Sequence, residues 1–341
     1  MREDRLVSPT LEDVARAAGV SRATVSRVIN GIRNVDPEIQ ETVRRAVAAV
    51  GYVPNRAARS LVTGKTGSIA LVVSGAGHFF ARVFTDPFFG RVVSGISGHL
   101  RPLGVHLVLM LAEAADARAQ IIDYLRQGHV DGAILVSTHP EDPLPAQLVE
   151  SGPPVVLFAR PAQPIRISYV DVAHSAGARL AADHLIARGC QRVATISGPL
   201  DVPASLERQS GFREAMARHG HAYIPSVEGN FTQESGERAM ERLLAEHPDI
   251  DGLFTGNDLM AQGALLVAQA HGRRVPDDLA VVGFDDSSAA LACRPPLTTV
   301  RHPVEDMSAE MARLLLAHIE DPDRRVTSVI FEPELVIRQS A

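Results

Sequence analysis

Near the amino terminus, Arg22 and Ala23 sit side by side and Arg27 follows about one helical turn further along. These side chains can read base edges. An arginine fork donates to O6 and N7 of one guanine together, and an alanine methyl packs on the methyl of thymine. Ser21, Thr24 and Ser26 stand among them with hydroxyls suited to phosphate contacts and helix capping, which position a helix without reading sequence. Taken alone, Arg22 and Arg27 are also what any solvated surface helix carries, so the elements around them decide the matter.

Thr10-Leu-Glu-Asp13 places a hydroxyl three residues before an acid, a capping box with Asp in place of Glu. Leu11, Val14, Ala15 and Ala18 follow at helical spacing. Gly19 stops this helix, Val20 plugs the gap, and Ser21 caps a second helix from Arg22 to about Asn30, with Gly31 as its stop. A third helix starts at Asp36-Pro37-Glu38, with Pro37 at the first helical position, and turns Ile39, Val43, Ala46, Val47 and Val50 inward before Gly51. The first two helices across a Gly-containing turn make a helix-turn-helix, whose second helix enters the major groove with its N-terminal side chains on the bases.

The segments DVARAAGVS (Asp13 to Ser21), TVSRVING (Thr24 to Gly31) and GYVPNRAARSL (Gly51 to Leu61) resemble the DNA-binding head and hinge of the lactose/galactose-repressor family. The resemblance implies that Arg22 and Ala23 hold the two variable positions that set operator choice, and Arg27 the position of a common base-contacting side chain. It matches Asn55-Arg-Ala-Ala-Arg-Ser-Leu61 to the hinge helix, which in the family forms only on DNA and lies in the minor groove beside its partner from a second subunit. Asn55, Arg56 and Arg59 would then meet DNA, and Leu61 would be a wedge at the central base step. A helix of about seven residues is marginal alone and needs DNA to order it, and an inserted apolar side chain kinks a flexible step. The expected organisation is a helix-turn-helix head over residues 1–53, a hinge and linker over 54–67, and a sensing and dimerisation domain over 68–341.

From Ser68 the pattern changes. Apolar runs at 69–73, 105–110, 132–137, 154–158, 192–197, 252–256 and 279–284 alternate with amphipathic stretches around 88–101, 117–127, 175–188, 207–219, 233–246, 258–271 and 304–319. Continuous apolar strands between helices predict parallel sheets covered on both faces. Seven such units suit two α/β lobes, with a ligand in the cleft at the carboxyl ends of the strands.

This body resembles the family's sensor domain, which is similar to periplasmic sugar-binding proteins. The matches are Arg208-Gln-Ser-Gly211-Phe212, then Gly256-Asn257-Asp258 with Ala261 and Gly263, then Val282-Gly-Phe284-Asp285-Asp286 leading to Pro296-Leu-Thr-Thr299. By that resemblance Arg208, Asn257 and Asp285 bond ligand hydroxyls. A donor fork, an amide and a paired acceptor are the mixture vicinal hydroxyls want. Singly, the three read as a surface arginine, a helix N-cap and a helix cap. Phe88, in Asp86-Pro-Phe88-Phe89, either lines a pocket floor or packs in the core, and Arg160, Phe284 and His302 fall near pocket positions. The longer stretch from Gly75 onward resembles members that sense cellobiose or related oligosaccharides. Many relatives carry an acid and an Asn where this chain has Val172-Ala173-His174, which counts against polar contacts there.

Charge is asymmetric. Residues 1–65 carry eleven Arg and Lys against seven Asp and Glu, +4, leaving 23 against 33, −10, for the remainder. One end suits phosphate and the body does not. There is no P-loop, GxGxxG after a strand, HExxH or GxSxG, the 13 histidines lack ligand spacing, and Cys190 and Cys293 lie far apart as reduced thiols. No enzyme, metal or cofactor is expected. With a charged start and no long apolar run, the expectation is a cytoplasmic chain, and the absence of leucine heptads after Ile337 favours a homodimer. The expected partners are double-stranded operator DNA and a mono- or oligosaccharide effector that releases a repressor; the alternatives are a purine or protein corepressor, or a sugar-binding module of transport.

Overall fold

The computed structural model describes residues 9–31, 35–53, 64–75, 86–137 and 139–341. The chain divides into two compact units, Met1–Gly67 and Ser68–Ala341.

In the first unit the described residues form α1 (Leu11–Ala18), α2 (Arg22–Ile29) and α3 (Pro37–Val50). The termini follow the local chemistry. Thr10 accepts from the Asp13 amide while the Asp13 side chain accepts from the Thr10 amide, which closes the capping box. Gly19 and Gly51 end their helices at φ 66° and φ 68°, a left-handed conformation that costs glycine little. Val14, Ala15, Val25, Val43 and Ala46 are buried together as the core shared by all three helices.

The second unit has two lobes. The first carries β1 (Ser68–Ser74), α4 (Pro87–Leu100), β2 (His106–Ala112), α5 (Ala115–Arg126), β3 (Ala133–Ser137), α6 (Leu144–Ser151), β4 (Val155–Phe158) and β5 (Ser168–Val172). The second carries α7 (His174–Ala187), β6 (Val193–Ser197), α8 (Pro203–Arg218), β7 (Ser226–Glu228), α9 (Gln233–Glu246), β8 (Gly252–Thr255), α10 (Asp258–Ala270), β9 (Ala280–Asp285), α11 (Ser288–Ala292) and β10 (Thr298–Arg301). The chain then returns to the first lobe with α12 (Val304–Glu320) and β11 (Ser328–Phe331), and crosses again to β12 (Glu334–Val336). The sheets run β11-β5-β4-β3-β1-β2 and β12-β10-β9-β8-β6-β7, parallel except for β12 against β10. Both repeat the doubly wound order, which opens ligand crevices at the carboxyl ends of the strands.

The unbroken apolar runs have a direct cause. In β1, Ile69, Leu71 and Val73 enter a core with α4 and α12, whereas Ala70 and Val72 enter another with α5 and α6. The second lobe divides likewise: Ile196, Leu253 and Val281 pack under α9 and α10, Phe254, Val282 and Phe284 under α7 and α8. Successive side chains point to opposite faces, so a strand covered on both sides has no polar position. Gly211 lets α8 approach α7, because a Cβ there would lie 2.5 Å from the Ser175 carbonyl oxygen. Among the described residues no helix is long and apolar enough to cross a membrane.

Candidate functional site

The strand ends of the two lobes face a cavity of about 400 Å³. The first lobe lines it with Phe88 at the start of α4 and with Phe158 to Arg160 after β4; the second contributes Arg208 from α8, Asn257 before α10 and Asp285 at the end of β9. His174 and His302, beside the crossings between lobes, complete the inner wall. All of these sit where doubly wound sheets present ligand groups.

Arg208 is no surface arginine: 6% of it is exposed. Its Nε donates to Nδ1 of His174 at 3.2 Å, and Nη1 donates to the Gly256 carbonyl at 2.6 Å and lies 3.4 Å from Oδ1 of Asp285. Phe284 lies beneath it, with the guanidinium carbon 3.8 Å from the ring centroid, so Phe284 holds Arg208 instead of lining the cavity. Burial pulls the Arg208 pKa below its ordinary value, while Asp285, Asp258 and Asp171 favour the charged form. Asp285 ends a strand and caps no helix, the N-cap of α11 being Ser287. Asn257 keeps the capping role, accepting from the Met260 amide at 2.9 Å while its Nδ2 donates to the Phe231 carbonyl at 3.0 Å.

His302 is 3% exposed, and neither ring nitrogen has a hydrogen-bond partner among the described residues. Nδ1 lies 3.5 Å from Oδ1 of Asp285, a distance for attraction but not for a hydrogen bond. Burial lowers the His302 pKa, so the ring enters the cavity neutral, with one donor and one acceptor to offer. Phe88 packs edge-on against Phe158 at 5.2 Å, and both ring centroids lie 6.1 Å from that of His302. Phe88 lines the cavity and also packs against the core, so the two alternatives offered by the sequence both apply. Arg160 is exposed at the rim and donates its amide to Asp171 at 3.0 Å.

Below the strand ends Asp258 accepts from the Thr299 hydroxyl at 2.5 Å and the Ser287 amide at 2.7 Å, which fixes the turn after Asp285. Burial and repulsion from Asp285 push its pKa up to about 7. The backbone is strained at the same place. Ala159, Phe231, Asp285 and Asp286, the non-glycine residues with positive φ among those described, all line the cavity or adjoin it. Such strain persists where surrounding structure imposes it, typically at ligand clamps.

Sequence reasoning missed two residues. His174 supplies the polar contact that the Val172-Ala173-His174 departure argued against. Arg91, on α4, grips Glu305 at 2.8 and 2.7 Å and donates to the carbonyls of Asp285 and His302, each at 2.9 Å. No group of three or more His, Cys, Asp or Glu able to hold a metal occurs among the described residues.

On the first unit Ser21 caps α2 by accepting from the Thr24 amide at 3.1 Å, and its hydroxyl meets that of Thr24 at 2.9 Å. Ser26 accepts from the Asn30 amide group at 3.3 Å. Arg22, Ala23 and Arg27 are exposed on α2. Arg22 only brushes Glu12, at 4.0 Å, a pair too exposed to restrain it. Asn55, Arg56, Arg59 and Leu61 lie outside the described residues.

A helix-turn-helix unit and a two-lobed α/β cleft define the class of ligand-sensing bacterial regulators. Residues 10–55 match the model of bacterial regulatory proteins of the lacI family, and residues 182–341 that of the periplasmic binding protein-like domain. The HTH-type transcriptional regulator CelR of Thermobifida fusca is 44% identical over 341 residues, 99% of each chain. A CelR–cellobiose complex superposes with a TM-score of 0.75 at 42% identity, covering 98% of this chain and 100% of that one. The lac repressor dimer bound to operator and the anti-inducer ONPF gives a TM-score of 0.82 at 26% identity, covering 98% and 99%. The chain belongs to the lacI family of bacterial regulatory proteins.

Proposed function

We propose that this protein is a cytoplasmic repressor that holds a pseudo-palindromic operator as a homodimer and releases it when a β-linked glucose disaccharide of the cellobiose type fills the cleft. The observation that carries the effector assignment is the His302 imidazole, buried with no hydrogen-bond partner for its ring nitrogens among the described residues, beside Arg208 and Asp285 in a cavity walled by Phe88 and Phe158. An orphaned buried polar group calls for a polar ligand. A pyranose presents a rim of hydroxyls to such groups and its C–H faces to aromatic rings. The relative that was solved with cellobiose spans 98% of this chain.

Residues 1–53 are assigned to the reading head, with Ser21, Thr24 and Ser26 toward phosphates and Arg22, Ala23 and Arg27 toward bases. Residues 54–67 are assigned to the hinge on sequence, and 68–341 to sensing and dimerisation. A sugar that binds the operator-incompetent state more tightly releases DNA, and a ten-fold release requires only about 1.4 kcal/mol of coupling. Titration calorimetry with cellobiose, followed by operator gel shifts with and without it, tests the reading. Micromolar binding with operator release is expected. Binding confined to a purine or a partner protein, or none at all, overturns the effector assignment.

A further inference from the structure

Resting on the cleft being the effector site, we propose that His174 is a positioning residue that ties Arg208 to the first lobe across the crossing between lobes. Three elements meet at this ring. Arg208 reaches it from α8 in the second lobe, His174 opens α7 just after the chain leaves β5, and Asp171 belongs to β5 in the first lobe. Arg208 Nε donates to His174 Nδ1 at 3.2 Å. Nδ1 must therefore be the bare, accepting nitrogen, which places the ring proton on Nε2. Nε2 lies 3.6 Å from Oδ1 of Asp171, so the N–H dipole points its positive end at a buried acceptor. Asp171 is itself held by the Val172 amide at 2.8 Å and the Arg160 amide at 3.0 Å, which anchors the chain of contacts to the end of β4.

A buried fork needs such a partner. With Nε and Nη1 taken by His174, Gly256 and Asp285, and Phe284 under its face, Arg208 has one orientation, leaving Nη2 without a partner among the described residues. Any change in lobe angle moves Asp171 against Arg208 and must bend the His174 contacts, so the state of the lobes and the presentation of the fork are joined at one ring.

The relay works only with neutral imidazole, since a proton on Nδ1 would face the guanidinium. The charged and titratable groups that act on the ring are Arg208 on α8, His302 beyond β10 and Asp171 on β5, and Asp171 in turn is near Glu207 on α8 and Arg160 after β4. Burial first, then Arg208 and His302, hold the His174 pKa well below its ordinary value, which keeps the acceptor available at neutral pH.

The test compares His174→Leu with His174→Asn in the full chain, because the Asn Oδ1 occupies the place of Nδ1 and can accept from Arg208. Electron–electron double resonance between labels at Arg126 and Arg218, one on each lobe, reads the lobe angle of the free protein. Wild type should give one narrow distance distribution, whereas both variants, which lack the Nε2 proton that faces Asp171, should give a broadened or displaced one. Cellobiose affinity should fall about 10- to 100-fold in H174L, the loss of one charge-assisted buried bond, and stay within about three-fold in H174N. Equal sugar affinity in the two variants, or a wild-type distance distribution in either, overturns the proposal. Should wild type bind no sugar, the effector reading fails while the distance distributions still decide the relay.

Discussion

Arg91 and Asp285 belong to different lobes, and the guanidinium of the first donates to the backbone carbonyl of the second at 2.9 Å. The same side chain forks onto Glu305, which holds the Arg91 pKa above its ordinary value although burial opposes this. Asp285 has φ 110° and places its carboxylate beside Arg208, so Arg91 clamps the strained turn from behind. Arg91→Met should remove four charge-assisted bonds and leave two carbonyls and a carboxylate to find water. The expected cost is about 2–3 kcal/mol in urea unfolding of the body, with weakened effector binding. Unchanged stability would show that solvent replaces the clamp.

Arg208→Ala deletes the donor fork at the centre of the cleft. The head is a separate unit with its own core, so operator affinity without effector should stay within about two-fold, whereas the sugar response should be lost over at least a 100-fold range of sugar concentration. Gel shifts titrated with cellobiose measure both. A normal response would remove Arg208 from the site.

What was legible in the sequence follows from the range of the interactions involved. The three helices of the head are fixed by caps one to four residues away, and their expected ends agree with the structure to within a residue. All seven apolar runs are strands, and in six of them burial on both faces leaves the local signature, whereas β2 lies at the sheet edge half-exposed. The strands β5, β7, β10, β11 and β12 have three to five residues each with polar positions, so their pattern is too short to read. Helix α8 starts at Pro203, ahead of the expected 207, since Val202 caps it without a side-chain hydrogen bond to mark the start. Arg208, Asn257 and Asp285 were found through motifs. Arg91 and His174 were not, for their partners lie as far as 214 and 34 residues along the chain.

Arg27→Ala tests the reading head. Arg27 is exposed on α2 and makes no side-chain bond to the other described residues of the unit, so its removal should leave the fold intact. A bidentate arginine–guanine contact is worth roughly 1–3 kcal/mol, hence operator affinity should fall about 10- to 100-fold while salt-sensitive binding to random DNA persists. Fluorescence anisotropy on operator and scrambled duplexes at two salt concentrations separates these. Retained preference for operator would assign base reading elsewhere on α2.

The last prediction concerns acid. Burial lowers the pKa of His174, His302 and His318 below the ordinary 6.5, so below that pH the unfolded chain takes up protons that the folded chain refuses. Folding stability should therefore be complete above about pH 6.5 and fall as the pH drops through it, since the unfolded state binds more protons. Asp258 acts oppositely. Raised from 3.8 to about 7, it holds a proton in the folded state over a range where the unfolded chain has lost it, and stability from this group declines as pH rises through that interval. Below about pH 6.5 the two effects oppose each other, the histidines lowering stability toward acid and the raised carboxyls of Asp258, Asp171 and Glu207 increasing it. Relative to wild type, urea midpoints measured from about pH 7 toward about pH 5 should fall less in His174→Asn/His302→Gln and fall more steeply in Asp258→Asn, whatever each variant costs at neutral pH. A double histidine variant with the wild-type slope would mean that these imidazoles take up protons in the folded cleft as in the unfolded chain, and the neutral inner wall would be wrong.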